Sequence, residues 1–267
     1  MAWRAVPAVT GIADFTLDAF SLADKRALVT GGNTGLGRAF TVALARAGAD
    51  VMVTSLAEDD GTTEALVTGS GRRYLFHEAD IARAGAPGES VARCVKHLGG
   101  IDILVNSAGI CLTADVAKFD RSRWDPMIAV NLTAAFELAQ HASREMVAQG
   151  SGKVINIASL FAYLGGRQSP AYAASKAGIV GFTRAFCDDL AEHNVQVNAV
   201  APGYFATALT ADTRADAEAA RRVVEHIPAG RWGDPADLMG AIVFLASAAS
   251  DYVNGQVLVV DGGYLVR

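Results

Sequence analysis

The sequence predicts one doubly wound α/β domain built on a seven-stranded parallel sheet. Short runs of apolar, β-branched residues alternate with longer stretches of helical periodicity, which is typical of repeated β-α units. The runs at 26–30 and 101–106 lack a polar alternation, as expected for strands that helices cover on both faces. No Pro- or Ser-rich linker divides the 267 residues, so a single domain accounts for the pattern.

Each element is predicted from its own run of residues. Strands are predicted at Ala27–Thr30, Asp50–Ser55, Arg73–His77, Asp102–Asn106, Lys153–Ala158, Gln196–Val200 and Gln256–Val260. Helices are predicted at Leu36–Ala47, Glu58–Thr68, Ser90–Leu98, Arg123–Gln149, Ala171–Glu192 and Pro235–Ala246. Right-handed crossovers between successive strands then build one parallel sheet. The segment 204–228 is rich in alanine and charge, so we expect a short helical lid over the strand ends, with a solvated surface excursion as the alternative.

Composition excludes several classes of protein. With 51% hydrophobic and 19% charged residues the chain can bury a substantial core. A net charge of -5 without a Lys/Arg run argues against a nucleic-acid partner. No apolar stretch reaches the roughly 18 residues of a membrane helix. Residues 1–20 carry a lone Arg4, and polar and turn residues interrupt them, so they are predicted to be a short extension rather than a signal peptide.

The cysteines and histidines indicate a reducing compartment and no metal site. Cys94, Cys111 and Cys187 show no CxxC spacing, and each is best explained as a small buried hydrophobe. The five histidines form no HxH or HxxxH cluster. We therefore expect a cytoplasmic protein that binds no metal.

A glycine-rich turn joins the first predicted strand to the first predicted helix. Gly31, Gly35 and Gly37 follow the pattern Gly-x-x-x-Gly-x-Gly. A turn without Cβ atoms lets a pyrophosphate approach the backbone, and the N–H groups and dipole of the following helix attract anionic charge. The turn therefore predicts a dinucleotide site, with a purely structural turn as the alternative.

Tyr172 and Lys176 lie one helical turn apart, thirteen residues after Ser159. A lysine ammonium about 5 Å from a phenol would stabilise the phenolate by roughly 3 kcal/mol and lower the tyrosine pKa by about 2 units. Such a tyrosine suits general acid–base catalysis. Ser159 ends a predicted strand, where its hydroxyl can orient a carbonyl or alcohol. Asn131 lies inside a predicted helix, where asparagine is unfavourable, and it can hold a water.

The end of the second predicted strand bears on the choice between NAD and NADP. An acidic side chain there accepts a hydrogen bond from the ribose 2′-hydroxyl of NAD, whereas a basic side chain binds the 2′-phosphate of NADP. Ser55 and Leu56 are neutral, and the acids Glu58, Asp59 and Asp60 follow. NAD(H) is therefore favoured, and NADP(H) is not excluded.

Together these motifs resemble the short-chain dehydrogenase/reductase family from Phe20 to Arg267. The resemblance implies a Rossmann-type dehydrogenase domain over 21–267 and a catalytic tetrad of Asn131, Ser159, Tyr172 and Lys176. In that family tyrosine is the acid/base, serine positions the substrate, lysine binds the nicotinamide ribose and asparagine anchors a relay water. The implied cofactor contacts are Gly31, Asn33, Thr34, Gly35, Leu36, Gly37, Ser55, Asp80, Ile81, Asn106, Ala108, Gly109, Tyr172, Lys176, Pro202, Gly203 and Thr207.

Two positions depart from the family pattern. Ser107 replaces the usual second asparagine of the Asn-Asn-Ala-Gly motif, which alters local hydrogen bonding rather than chemistry. Ser55 stands where NAD-preferring members carry aspartate.

A finer resemblance is to sugar-acid members, the gluconate 5-dehydrogenases and 2-dehydro-3-deoxy-D-gluconate 5-dehydrogenases. It implies oxidation of a secondary alcohol, or reduction of its ketone, on a small sugar acid or polyol. Candidate contacts to an anionic substrate are Arg167, Gln168, Arg214 and His226. The alternatives are a carrier-bound β-ketoacyl reductase and a non-enzymatic cofactor-binding regulator on the same fold. The family also implies a homotetramer, with a dimer as the alternative.

Overall fold

The computed structural model describes residues 15–267, and its centre is a parallel sheet. The strands are β1 (Arg26–Thr30), β2 (Asp50–Ser55), β3 (Tyr74–Glu78), β4 (Ile103–Asn106), β5 (Gly152–Ile157), β6 (Val195–Pro202) and β7 (Val257–Val260). They form one seven-stranded sheet in the order β3-β2-β1-β4-β5-β6-β7, and every neighbouring pair is parallel. The predicted fold class is confirmed, and each predicted strand is present with its ends shifted by at most two residues.

The helices follow the predicted order with different boundaries. They are α1 (Gly35–Arg46), α2 (Thr62–Thr68), α3 (Ala86–Leu98), α4 (Arg121–Ile128), α5 (Ala134–Gln149), α6 (Pro170–Leu190), α7 (Ala211–Ala215), α8 (Ala217–His226) and α9 (Met239–Ala246). The helix predicted at Arg123–Gln149 is present from Arg121, but a π-helical turn at Ala129–Thr133 divides it into α4 and α5. The helix predicted from Glu58 begins at Thr62, because residues 58–61 form a loop held by side-chain hydrogen bonds. A 3₁₀ turn, Pro235–Leu238, precedes α9.

Hydrophobic side chains bury both faces of the sheet. Alternate residues of β1 point to opposite faces, so Val29 packs with Phe40 and Ile242 from α1 and α9. Leu28 packs on the other face, with Leu138 of α5. Fully burying each large side chain contributes about 1.5–3 kcal/mol relative to leaving it exposed. The non-alternating apolar strands of the sequence are explained by this double coverage.

The strand order reverses between β1 and β4, and this reversal positions the candidate site. The chain leaves β1 toward α1 on one face, and it leaves β4 toward α4 and α5 on the other. The loops after β1 and β4 are in contact where they leave the sheet, since a Cβ added to Gly31 would lie 3.1 Å from Ala108 Cα. Open α/β sheets bind ligands in the crevice at such a reversal.

The segment predicted as a lid, 204–228, contains α7 and α8. Asp216 caps α8 by accepting from the N–H groups of Glu218 and Ala219, at 3.0 and 3.1 Å. Neither helix contains a buried residue, which agrees with the polarity of its sequence. The helical character is confirmed, and the lid role stays a prediction.

The predicted N-terminal extension, residues 1–20, is described from residue 15 onward. Residues 1–14 lie outside the described residues. Leu17–Phe20 forms a 3₁₀ turn, and the Phe20 ring packs against that of Phe244 with centroids 6.4 Å apart. In residues 15–267 we find no helix that is both long and apolar enough to span a membrane.

Candidate active site

The turn between β1 and α1 has a geometry that requires glycine. Gly31 and Gly35 have φ angles of +63° and +49°, in the left-handed region. A Cβ added to Gly37 would lie 2.0 Å from the carbonyl oxygen of Gly31. A side chain at Gly37 would therefore push the helix away from the turn.

The N-terminus of α1 opens into the crevice beside this turn. Thr34 is its N-cap residue and makes no side-chain capping hydrogen bond. Across the crevice, a Cβ added to Gly35 would lie 3.8 Å from Thr207 Cβ, so the segment after β6 faces the turn. An uncapped helix N-terminus within a glycine cradle fits the pyrophosphate of a nicotinamide dinucleotide.

The loop after β4 is held against β1 by hydrogen bonds. The Thr30 hydroxyl accepts from the backbone N–H groups of Ser107 and Ala108, both at 3.1 Å. The Asn106 side chain is buried and donates to Ala135 O at 3.0 Å and Asn156 Oδ1 at 2.9 Å. In this predicted cofactor motif, the side chain of Asn106 therefore has a structural role. Only the backbone of residues 107–109 lies along the crevice, where a cofactor could contact it.

The other predicted cofactor residues lie along the same edge of the sheet. Asp80 is exposed and accepts from the Ala82 N–H at 2.9 Å, while Ile81 is buried. Gly203 follows β6 and donates to Val260 O at 2.9 Å. Their contacts to the cofactor stay predictions.

Ser159, Tyr172 and Lys176 come together where β5 ends and α6 begins. Ser159 is the N-cap of a 3₁₀ turn and accepts from the Phe161 N–H at 3.2 Å. Lys176, which is 4% exposed, donates from Nζ to Ile157 O at 2.7 Å. Its Nζ also lies 5.5 Å from the centroid of the Tyr172 ring. The serine, the phenol and the ammonium thus share one partly buried space.

Burial controls the protonation of this group. It raises the pKa of Tyr172 to about 12, with a further rise from Cys111, and the Ser159 hydroxyl lowers it. Burial lowers the pKa of Lys176 to about 8, and the electrostatic effect of Cys111 opposes this shift. The expected net lowering of the tyrosine pKa is wrong. The cost of removing the phenolate from water outweighs an ammonium that lies over the ring and donates to Ile157 O.

Asn131 lies in the π-helical turn rather than in a regular helix, and it is 1% exposed. Its Oδ1 accepts from the Ile110 N–H at 2.9 Å, and its Nδ2 donates to Ile110 O at 2.8 Å. A Cβ added to Gly109 would lie 3.5 Å from Asn131 Oδ1 and 3.7 Å from Lys176 Nζ. Asn131 therefore fixes the backbone after β4 beside Lys176, and π-helical turns are frequent at functional sites. Its water-binding role stays a prediction.

Cys111 was assigned to the core from sequence, whereas the structure places it at the site. It is half-buried, its Sγ lies 3.6 Å from Ser169 Oγ, and its thiolate form would raise the pKa values of both Tyr172 and Lys176. Burial raises the pKa of the Cys111 thiol, so it is neutral near pH 7. In the sequence, the feature that indicates this location is that Cys111 follows Gly109 by two residues, in the loop after β4.

The four candidate contacts for an anionic substrate have different surroundings. Gln168 donates to Asp115 Oδ1 at 2.8 Å, and Arg214 donates to Thr207 O at 2.9 Å. The His226 ring packs against that of Tyr264 at a tilt of 52°, with centroids 4.2 Å apart. Arg167 is exposed and has neither a hydrogen bond nor an ion pair within residues 15–267. Of the four residues, Arg167 is the one whose charged group can bind an anionic substrate without first breaking another contact.

Across 15–267 there is no group of three or more His, Cys, Asp or Glu side chains that could hold a metal ion.

Comparisons with known proteins match the chain over nearly its whole described length. A family model described as enoyl-(acyl carrier protein) reductase matches residues 31–265. The chain is 56% identical over 253 residues to the uncharacterized oxidoreductase YgcW of Escherichia coli (95% of this chain, 97% of that protein). It is 46% identical over 252 residues to 2-dehydro-3-deoxy-D-gluconate 5-dehydrogenase of the same organism (94% and 99%). It is 38% identical to the solved gluconate 5-dehydrogenase of Burkholderia cenocepacia in complex with NADP and tartrate, with a TM-score of 0.89 and 94% and 98% coverage.

Replacing Gly37 tests the glycine cradle. We expect Gly37→Ala to weaken dinucleotide binding by at least about tenfold, because the new Cβ would collide with Gly31 O and displace the start of α1. Fluorescence titration with the reduced cofactor measures the loss. Gly240→Ala is the matched control, since a Cβ there meets nothing within 4 Å. Equal affinities for the two variants would contradict the assignment of the cradle.

Proposed function

The chain belongs to the short-chain dehydrogenase/reductase family of NAD(P)-dependent oxidoreductases, which interconvert a secondary alcohol and a ketone, and we propose that its substrate is a sugar acid. The observation that carries this proposal is the meeting of Ser159, Tyr172 and Lys176 at the crevice that the glycine turn borders. The proposal is supported by the relatives named 2-dehydro-3-deoxy-D-gluconate 5-dehydrogenase and gluconate 5-dehydrogenase.

The four residues of the predicted tetrad have separate roles in this proposal. When bound, the nicotinamide ring supplies the chemistry of hydride acceptance or donation. Tyr172 takes the hydroxyl proton of the alcohol or returns a proton to the ketone oxygen. Ser159 donates a hydrogen bond to that oxygen and fixes its distance from the phenol. Lys176 binds the nicotinamide ribose through its ammonium, and Asn131 holds a water that links the site to solvent.

A carboxylate on the substrate needs a cation near the site. Arg167 lies between Ser159 and Tyr172 in sequence, and its guanidinium is exposed. Guanidinium and carboxylate groups pair with bidentate geometry, so we assign Arg167 to the substrate carboxylate. A carrier-bound β-ketoacyl substrate is less favoured, because docking an acidic carrier needs a basic patch and the chain has a net charge of -5.

The finer features of the enzyme are also proposals. We assign the catalytic domain to residues 21–267, with 204–228 closing over the substrate. We place the enzyme in the cytoplasm, because Cys94, Cys111 and Cys187 are all free. The retained Ser159, Tyr172 and Lys176 favour an enzyme over a regulator.

The preference for NAD(H) rests on the loop after β2, where Glu58 and Asp60 are exposed acids. The Burkholderia relative was solved with NADP, so the family relationship itself does not favour NAD(H). Cofactor choice therefore depends on this chain's own residues.

We propose a homotetramer, in which α5 and α6 form one of the interfaces. A mainly apolar groove between these helices is lined by Phe136, Val147, Phe186 and Leu190, together with Gln140, Ser143, Arg144 and Asp189. Phe136 is 39% exposed and lies edge-on to Phe186, with centroids 5.6 Å apart. Aromatic side chains partly exposed in a groove suit contact with a second copy of the chain.

Replacing Tyr172 tests the proposed acid/base. We expect Tyr172→Phe to lower kcat by about 10²–10⁴-fold and to leave cofactor affinity within about twofold, because the ring stays and only the proton carrier is lost. Steady-state kinetics and cofactor titration measure the two effects. Tyr163→Phe is the matched control, since Tyr163 is 49% exposed in the segment that joins β5 to α6. A Tyr172→Phe enzyme that keeps more than a few per cent of the wild-type rate would disprove the assignment.

A substrate panel tests the substrate and cofactor proposals together. We expect keto sugar acids to be reduced and the matching alcohols oxidised, with kcat/KM at least about tenfold higher for NADH than for NADPH. Absorbance of the reduced nicotinamide measures each rate. Activity confined to carrier-linked ketones would contradict the substrate proposal, and a clear preference for NADPH would contradict the cofactor proposal.

Light scattering at micromolar concentration tests the assembly. We expect a mass about four times the 27.8 kDa of the chain. Phe136→Asp should yield smaller species, because it places a charge in the apolar groove. Val116→Asp, at a residue that is 78% exposed, is the control and should leave the mass unchanged. A monomer mass for the wild type would rule out both tetramer and dimer.

A further inference from the structure

The loop between β2 and α2, residues 56–61, carries three acids and is here called the acidic loop. It is fixed against the glycine turn, because Asn33 Nδ2 donates to Ala57 O at 2.9 Å and Glu58 O at 3.1 Å. Tyr74 on β3 also donates its hydroxyl hydrogen bond to Asp59. The acidic loop therefore has a defined position beside the turn.

Arg38 of α1 lies between the glycine turn and this loop. Its Nε donates to Asn33 O at 2.9 Å and to Thr63 Oγ1 at 3.0 Å. Its Nη2 donates to both carboxylate oxygens of Asp60, at 2.9 and 3.0 Å. The side chain of Arg38 is 29% exposed, and that of Asp60 is 58% exposed. The guanidinium is thus fixed in place, with its charge directed to Asp60.

The location of this ion pair matters because the adenosine ribose of a dinucleotide lies at the end of the second strand of such a sheet. β2 ends at Ser55, which is buried and uncharged. Arg83, another arginine after β3, is paired with Glu89 at 2.5 Å. Arg38 is therefore the cation best placed for a ribose 2′-phosphate, and Asp60 already occupies it.

Asp60 is ionised at neutral pH and competes for the guanidinium. Hydrogen bonds from the backbone and side chain of Thr62, followed by that from Arg38, hold the pKa of the Asp60 carboxyl below its usual value. A 2′-phosphate would need to displace this carboxylate and would also approach the charges of Glu58 and Asp59. Exposed ion pairs are weak, however, so a change at Asp60 would release Arg38.

We propose that the Arg38–Asp60 ion pair determines cofactor choice. Asp60 occupies the guanidinium that a 2′-phosphate needs and so disfavours NADP(H), and Arg38 becomes the phosphate contact once Asp60 is neutralised. This inference rests on the proposed function in that a nicotinamide dinucleotide binds over the glycine turn.

Equilibrium binding of NADH and NADPH, followed by nucleotide fluorescence, tests the proposal without substrate. We expect Asp60→Asn to bind NADPH about tenfold or more tightly than the wild type, while its affinity for NADH stays within about threefold. Asparagine keeps the Oδ1 acceptor of the Thr62 N–H, so the loop keeps that hydrogen bond. Glu58→Gln is the matched control, since it removes one charge from the same loop without touching Arg38. Its effect on NADPH affinity should stay below about threefold.

An Arg38→Met background identifies the residue that contacts the phosphate. We expect Asp60→Asn to improve NADPH affinity there no more than Glu58→Gln does in the wild type. The proposal is overturned if Asp60→Asn leaves NADPH affinity unchanged, if Glu58→Gln matches its effect, or if the gain persists without Arg38. A wild-type protein that binds neither nucleotide would instead overturn the proposed function, and this inference with it.

Discussion

The reversal of strand order between β1 and β4 is the constraint on which the rest of the site depends. The loops that leave these strands travel to opposite faces of the sheet, and the hydrogen bonds from the loop after β4 to Thr30 keep their starting points together. Because both faces of the central strands are buried, these strands cannot slide without exposing their apolar side chains. The carboxyl edge is therefore a fixed surface on which β5 and the helices place Ser159, Lys176 and Asn131.

Burial at this edge gives the candidate residues their chemistry. The ammonium of Lys176 stays in the interior because Ile157 O accepts its hydrogen bond, and the same burial lowers its pKa to about 8. Tyr172 is affected in the opposite direction, since burial favours its neutral phenol. Burial thus shifts the two pKa values apart: it keeps the Tyr172 phenol protonated, as proton donation to a ketone oxygen requires, and it brings the pKa of Lys176 nearer to neutral pH.

Some of this arrangement was predictable from sequence and some was not. The sheet was predictable because its central strands, such as 26–30, are apolar runs covered on both faces. The spacing of Gly31, Gly35 and Gly37 predicted the turn, since only glycine fits the backbone contact at Gly37. The π-helical turn was not predictable, because the sequence around Asn131 continues a helical periodicity and only the contact with Ile110 distinguishes it.

Other misses have the same cause, namely contacts between distant segments. The sequence around Cys111 is typical of a buried cysteine, and its contact with Ser169 arises only from the path of the chain after β4. Arg38 and Asp60 are separated by 22 residues, so the ion pair between them is not visible in the sequence. Desolvation governs the pKa of Tyr172, and it depends on how distant segments pack around the ring.

A crystal structure with NADH and a sugar acid bound tests the central claim most directly. The account predicts the pyrophosphate at the N-terminus of α1 and the reacting substrate oxygen within hydrogen-bonding distance of Tyr172 Oη and Ser159 Oγ. A nucleotide bound away from the crevice between the loops after β1 and β4 would contradict it. So would a substrate oxygen that contacts neither hydroxyl.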